Sequence, residues 1–151
     1  MGAARDGEGL LVDADAVRAL PKLDLHCHLD GAARTATLLE LADAAGHALP
    51  ADSVDALEPF VRVGPGCRSL RDFLAVFETF YPVLRQPGAA GRLARELLED
   101  AAADGVVHVE ARFCPSLQAT DGHPPEAVLE EVLGALADAG GPVSWGVVVC
   151  C

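Results

Sequence analysis

Two histidines separated by one residue, His26 and His28, stand inside the run Leu23-Asp24-Leu25-His26-Cys27-His28-Leu29, which ends at Asp30-Gly31. This stretch constrains the fold because the side-chain period of a β-strand is two, so alternate residues share a face. If the run is a strand, both imidazoles project together, close enough to share one cation. Leu25, Cys27 and Leu29 then point the other way, into a hydrophobic layer. Asp30-Gly31 turns the chain and places a carboxylate at the C-terminal end of the strand, where α/β folds put their ligands. A lone His-x-His also occurs among hydrogen-bonded core histidines. The apolar strand context, between Pro21-Lys22 and Asp-Gly, raises the case for metal ligation.

The rest of the chain supplies the layers such a strand needs. The spacing predicts helices over 35–45, 70–81, 91–103 and 125–139, and strands over 22–29, 106–113 and 143–151. Leu38, Leu41, Ala42 and Ala45 make one helical stripe, with Gly46 as its C-terminal stop, and Leu93, Leu97, Leu98 and Ala101 make another. Segments 48–68 and 116–123, rich in Pro and Gly or in turn residues, read as loops. Residues 1–20 read as a flexible N-terminal segment with a short helical turn at 14–19, and 21–151 as one domain. Strands separated by helices imply parallel β/α units with right-handed crossovers. The fold class is therefore α/β. About three strands leave two open, hydrophobic sheet edges, as in the opening portion of a larger protein, and such edges invite self-association.

Composition narrows the function. With 151 residues, 51% of them hydrophobic, the chain can bury a core. A net charge of −12 argues against nucleic acid and against an anionic membrane as partners. The five cysteines are odd in number and form no C-x-x-C, which fits reduced thiols in a cytoplasm better than a disulfide framework. No uninterrupted apolar segment resembling a signal peptide or a membrane span is found.

Two further segments carry candidate chemistry. In 70–81, Phe73, Phe77, Phe80 and Tyr81 recur at helical spacing beside Leu70 and Leu74; the stripe reads either as core or as an apolar wall over a small-molecule pocket. In 106–113, one face is Val107, Val109, Ala111 and Phe113, and the other Val106, His108, Glu110 and Arg112. Charges inside a strand need partners, so Glu110 and Arg112 read as a structural ion-pair layer or as part of a site. His108 would ligate a metal only if its layer matched that of His26 and His28. His47 and His123 fall at a helix end and in a turn and read as surface residues.

Pro21-Lys22-Leu23-Asp24-Leu25-His26-Cys27-His28-Leu29-Asp30-Gly31-Ala32 resembles the N-terminal metal motif of the adenosine deaminase family. Arg34 to Ala42 resembles the helix that follows it, Asp72 to Phe77 the family's hydrophobic substrate-covering helix, and Val106 to Pro115 its second barrel strand. The resemblance covers roughly residues 20–151 and implies the N-terminal part of a TIM (β/α)8 barrel that uses one Zn2+ ion. It implies His26 and His28 as metal ligands. It also implies that His28, Asp30, Gly31, Phe73, Leu74 and Phe77 line the site of a nucleoside substrate, with the ribose end near His28 and Asp30. The implied reaction is hydrolytic deamination of adenosine or deoxyadenosine. The family's third zinc histidine, its acid/base glutamate, a second catalytic histidine and the last metal-bound aspartate belong to later strands. No catalytic residue is therefore assigned in this chain, the zinc ligand set is incomplete, and the chain alone is expected to be inactive. Two other readings stay open: deamination of another aminopurine, such as adenine or an N6-methylated adenine nucleotide, and a non-catalytic partial-barrel interaction module.

Overall fold

A computed structural model describes Ala4–Arg5 and residues 11–150. Within the segment expected to be flexible, β1 (Ala4–Arg5) and β2 (Leu11–Val12) pair antiparallel, and α1 (Ala14–Ala19) follows. Asp13 starts α1 by accepting the Asp15 backbone N–H at 3.0 Å. Residues 1–3 and 6–10, also in that segment, and Cys151, assigned to the last strand, lie outside the described residues.

Three parallel strands follow, β3 (Lys22–His28), β4 (Val106–Phe113) and β5 (Ser144–Val149), hydrogen-bonded in that order. Helices α2 (Thr35–Ala45), α3 (Val54–Val61), α4 (Leu70–Leu84) and α5 (Ala89–Ala103) lie between β3 and β4; the short α6 (Pro115–Gln118) and α7 (Pro125–Ala139) lie between β4 and β5. Val109, Ala111 and Phe113 of β4 are buried in one core with Leu93, Leu97 and Leu98 of α5 and Val128, Val132 and Leu136 of α7. The stripe expected of α5 is observed, and the alternation expected of β4 holds from His108 to Phe113, because each presents one apolar face at the period of its element. At the start of β4 it fails: Val107, expected on the apolar face, is 42% exposed, while Val106 packs against the core, because the register slips there. α2 ends at Gly46 with φ 62°, the left-handed conformation that glycine adopts without strain. Ala45 of its expected stripe is exposed. Among the described residues no helix is long and apolar enough to cross a membrane.

Three elements depart from expectation. Within 48–68, expected as loop, α3 forms despite Pro59, and its Leu57 is fully buried. Core contact there outweighs a poor local signal. α4 continues through Pro82 to Leu84. Burial of Val83 and Leu84, worth about 1.5–3 kcal/mol each, offsets the one backbone bond that proline removes in the last turn. In 116–123, α6 starts on Pro115, which suits a first helical position because its missing N–H has no intrahelical role there.

The most consequential departure is in β3. Asp24 pairs with Val109 and Cys27 with Ala111, so Leu25 and His26 together oppose Glu110: a bulge of one extra residue. A compensating slip lies between Lys22 and Leu23, where β4 carries the extra residue. The strict alternation expected of the run therefore fails in its first half. Leu23 and Leu25 are 63% and 59% exposed, and Leu25 does not enter a hydrophobic layer. Cys27 and Leu29 do, packing against the helix-covered core. The last strand departs too: expected to be buried on both faces, β5 is half-buried along its middle and exposed at Val149, as befits an edge strand.

Candidate functional site

His26, in the bulge, and His28, beyond it, share the face of the sheet that no helix covers. Their ring centroids lie 5.3 Å apart, with planes inclined by 36°. Two imidazoles bound to one tetrahedral zinc through bonds of about 2.0–2.1 Å have centroids about 5 Å apart, so the pair has the separation a shared metal needs. Among the described residues no third His, Cys, Asp or Glu joins them in a metal-binding group. The residues present thus fit two positions of a zinc site and leave the remainder of the ligand set unfilled. The His26 backbone N–H donates to Asp24 Oδ1 at 3.1 Å, bracing the bulge. Beneath the pair, burial pushes the Cys27 thiol above its ordinary pKa and the Asp24 carboxylate adds to the shift, which keeps Cys27 a protonated core residue.

His108 takes no part in that pair. Its Nδ1 is 2.9 Å from Ser144 Oγ and its Nε2 2.9 Å from Glu110 Oε1, so both ring nitrogens are engaged across β4 and β5. Its backbone stands level with Leu23, well before the histidines. The Glu110 carboxylate lies over Gly146 of β5; a Cβ there would sit 2.6 Å from Glu110 Oε2, so a larger residue would push this flexible carboxylate aside. This is the structural polar layer that the strand pattern offered as one reading. Arg112 is different: its Nη1 donates to His26 Nε2 at 3.1 Å. His47 is exposed, and His123 Nε2 lies 3.1 Å from Glu131 Oε1, away from the sheet face.

At the C-terminal end of β3 the chain enters a single 3-10 turn, Asp30–Ala32. Asp30 is only 6% exposed. Its Oδ1 accepts the Gly31 backbone N–H at 3.0 Å and its Oδ2 accepts the Tyr81 hydroxyl. Burial pushes the Tyr81 phenol well above its ordinary pKa, and the hydrogen bond to Asp30 and the charge of that carboxylate push it further the same way. Arg34, at the start of α2, holds the turn to α5 through Asp100 at 2.6 Å and Glu99 at 2.9 Å.

The two readings of the aromatic stripe both apply, to different parts of α4. Phe80 is buried in the core, whereas Phe73 and Leu74 are exposed and Phe77 half-buried. The Phe73 and Phe77 rings lie 5.5 Å apart. Together with His28, Asp30 and Gly31, Phe73, Leu74 and Phe77 line one cavity of about 510 Å³ at the C-terminal end of the sheet. All six residues singled out for a ligand therefore meet in one place; His26 stands outside the lining. Tyr81, part of the stripe read as a possible wall, lines the cavity too, and sequence reasoning missed Glu78, Phe113, Cys114, Leu117 and Cys150 as lining residues. Cys114 and Cys150 directly follow β4 and β5, so the rule that ligands gather at strand C-termini could have found them. Tyr81 lies four residues beyond Phe77 and so on the same helix face, but nothing local pairs it with Asp30. A larger, more open hollow of about 760 Å³ lies behind α2, lined by Glu40, Asp43 and His47 among others, and holds no such convergence.

The comparisons agree with this layout. The profile of the family described as adenosine deaminase matches residues 21–151. The chain belongs to the adenosine deaminase family. An adenosine deaminase from Mycolicibacterium vanbaalenii is 43% identical over 125 residues, covering 82% of this chain and 34% of its own length. Among solved structures, an amidohydrolase from Burkholderia ambifaria with bound Zn superposes with a TM-score of 0.78 at 28% identity, over 97% of this chain and 40% of its own. Adenine deaminase from Arthrobacter aurescens superposes with a TM-score of 0.70 at 26% identity, over 85% and 38%. The chain thus spans about a third of the length of most of the curated relatives it matches, and its three β/α strands are those of a partial TIM barrel.

Proposed function

We propose that this chain supplies the first metal ligands and much of the purine-side wall of a zinc-dependent deaminase acting on adenosine or deoxyadenosine, yielding inosine or deoxyinosine and ammonia. The observation that carries the reading is the convergence of His28, Asp30, Gly31, Phe73, Leu74 and Phe77 on one cavity beside the His26–His28 pair. His26 and His28 would hold the ion, and zinc in such a site supplies Lewis-acid activation of water for hydrolysis. Phe73, Leu74 and Phe77 offer a flat heteroaromatic ring an apolar, water-excluding face. Asp30 keeps acceptor capacity beyond its bonds to Tyr81 and Gly31, and so suits the hydroxyls of a ribose. The turn that follows His28 keeps this carboxylate beside the metal pair. The remaining ligands and the general acid/base belong to parts of a deaminase barrel that this chain does not contain. The same reading takes the cytoplasm as the compartment, and self-association through the exposed edge of β3 as the behaviour of the chain alone.

The structural likeness to an adenine deaminase favours a second reading, a free aminopurine base as substrate. Titration of the chain with adenosine and with adenine, followed by NMR, tests both. The expected result is weak binding that perturbs Gly31, Phe77 and Cys114, stronger for adenosine, with no ammonia released by the zinc-loaded chain. Shifts confined to the hollow behind α2 would overturn the site. Stronger binding of adenine would move the assignment to the base, and turnover by this chain would overturn the incomplete ligand set.

A further inference from the structure

Among the described residues, Arg112 is the charged side chain that bonds an imidazole of the pair. It lies level with His28 in the β3–β4 register, and its Nη1 reaches His26 Nε2 at 3.1 Å. A guanidinium only donates, so Nε2 is the acceptor and its ring proton sits on Nδ1. The lone pair given to Arg112 is the one a cation at Nε2 would take. Arg112 Nε is buried and has no hydrogen-bond partner. A buried, unsatisfied guanidinium nitrogen is costly, so this arrangement is one the side chain leaves readily when a better partner is offered. Glu110, two residues back on the same strand face, is a carboxylate with the fork geometry that suits a guanidinium.

We infer that Arg112 is a gate on the metal site: it presets the tautomer of His26 while occupying the coordinating nitrogen, and a cation enters only when the guanidinium withdraws. The inference rests on His26 and His28 being metal ligands. The guanidinium acts in two ways. Its hydrogen bond must be broken before Nε2 can bind, and its positive charge opposes a dication a few ångströms away. Arg112 is in this sense a positioning residue, outside the lining of the cavity.

The test is zinc affinity of the full chain, read by competition with a chromophoric chelator, for the wild type, Arg112→Met, Arg112→Lys and His26→Ala. Arg112→Met removes donor and charge at similar length and should tighten zinc binding about tenfold, the scale of one charge-assisted hydrogen bond. Arg112→Lys keeps the charge and a donor and should bind as the wild type does. It also serves where the methionine variant folds poorly, since a gate that works by charge predicts its parity with wild type. Combining His26→Ala with Arg112→Met should abolish the gain. Zinc binding that depends on His26 but is unchanged or weakened in Arg112→Met overturns the gate and leaves the metal reading intact. Absence of zinc binding in both the wild type and Arg112→Met overturns the two together.

Discussion

The two faces of β4 differ in how tightly each position is specified. On the covered face, Val109, Ala111 and Phe113 are buried among aliphatic side chains of α5 and α7. On the open face, His108, Glu110 and Arg112 each meet a named polar partner: Ser144, His108 and His26. The covered face asks for volume and apolarity, which several residues supply. The open face asks for particular donors and acceptors, paired one to one in these bonds. One strand thus carries the core on one side and a polar layer on the other, and Phe113 of the core side also reaches the wall of the cavity.

Three changes would break or sharpen that contrast. The largest effect belongs to the covered face: Phe113→Ala should cost about 3–5 kcal/mol in urea unfolding, because Phe113 is fully buried and the cavity cannot collapse against a sheet. A cost under about 1 kcal/mol would mean that the covered face is not the core. Next comes the junction between core and site. Tyr81→Phe should cost about 1.5–3 kcal/mol, the worth of one hydrogen bond to a carboxylate. The phenol's folded pKa is raised, so its contribution is complete below the unfolded value of about 10 and is lost as pH rises from there toward the folded value. Tyr81 is the chain's single tyrosine, so an ultraviolet titration reads it alone. Ionisation at the ordinary pH, or the same alkaline loss of stability in Tyr81→Phe, would break the pairing. The smallest effect belongs to the exposed start of β3. Leu25→Lys should change stability by less than about 0.5 kcal/mol while reducing self-association in sedimentation, since the residue is exposed on an edge strand. A large destabilisation would show that Leu25 is packed after all.

Much of this was legible in the residues. The period of two separated the faces of β4 from His108 to Phe113 but not Val106 and Val107, where the register slips, and the helical stripe of Leu93, Leu97 and Leu98 predicted its own burial. The residues quoted from the deaminase resemblance meet in one cavity. Local patterns failed where long-range packing overruled them: α3 formed around Pro59 and α4 ran through Pro82, since each turn carries a buried leucine or valine. The expected burial of Leu25 failed because a bulge is set by the neighbouring strand's register, and periodicity along one strand contains no record of it.

By itself, then, the sequence determined the order of strands and helices, the common face of His26 and His28, and the apolar character of the α4 wall. These follow from side-chain periods, which are properties of a single element. Only the tertiary structure decided that Tyr81 donates to Asp30 across 51 residues, that Arg112 reaches His26 across 86, and that the Glu110 carboxylate lies over Gly146 of the next strand. Those are contacts between elements, fixed by strand register and helix docking, and no local pattern carries that distance.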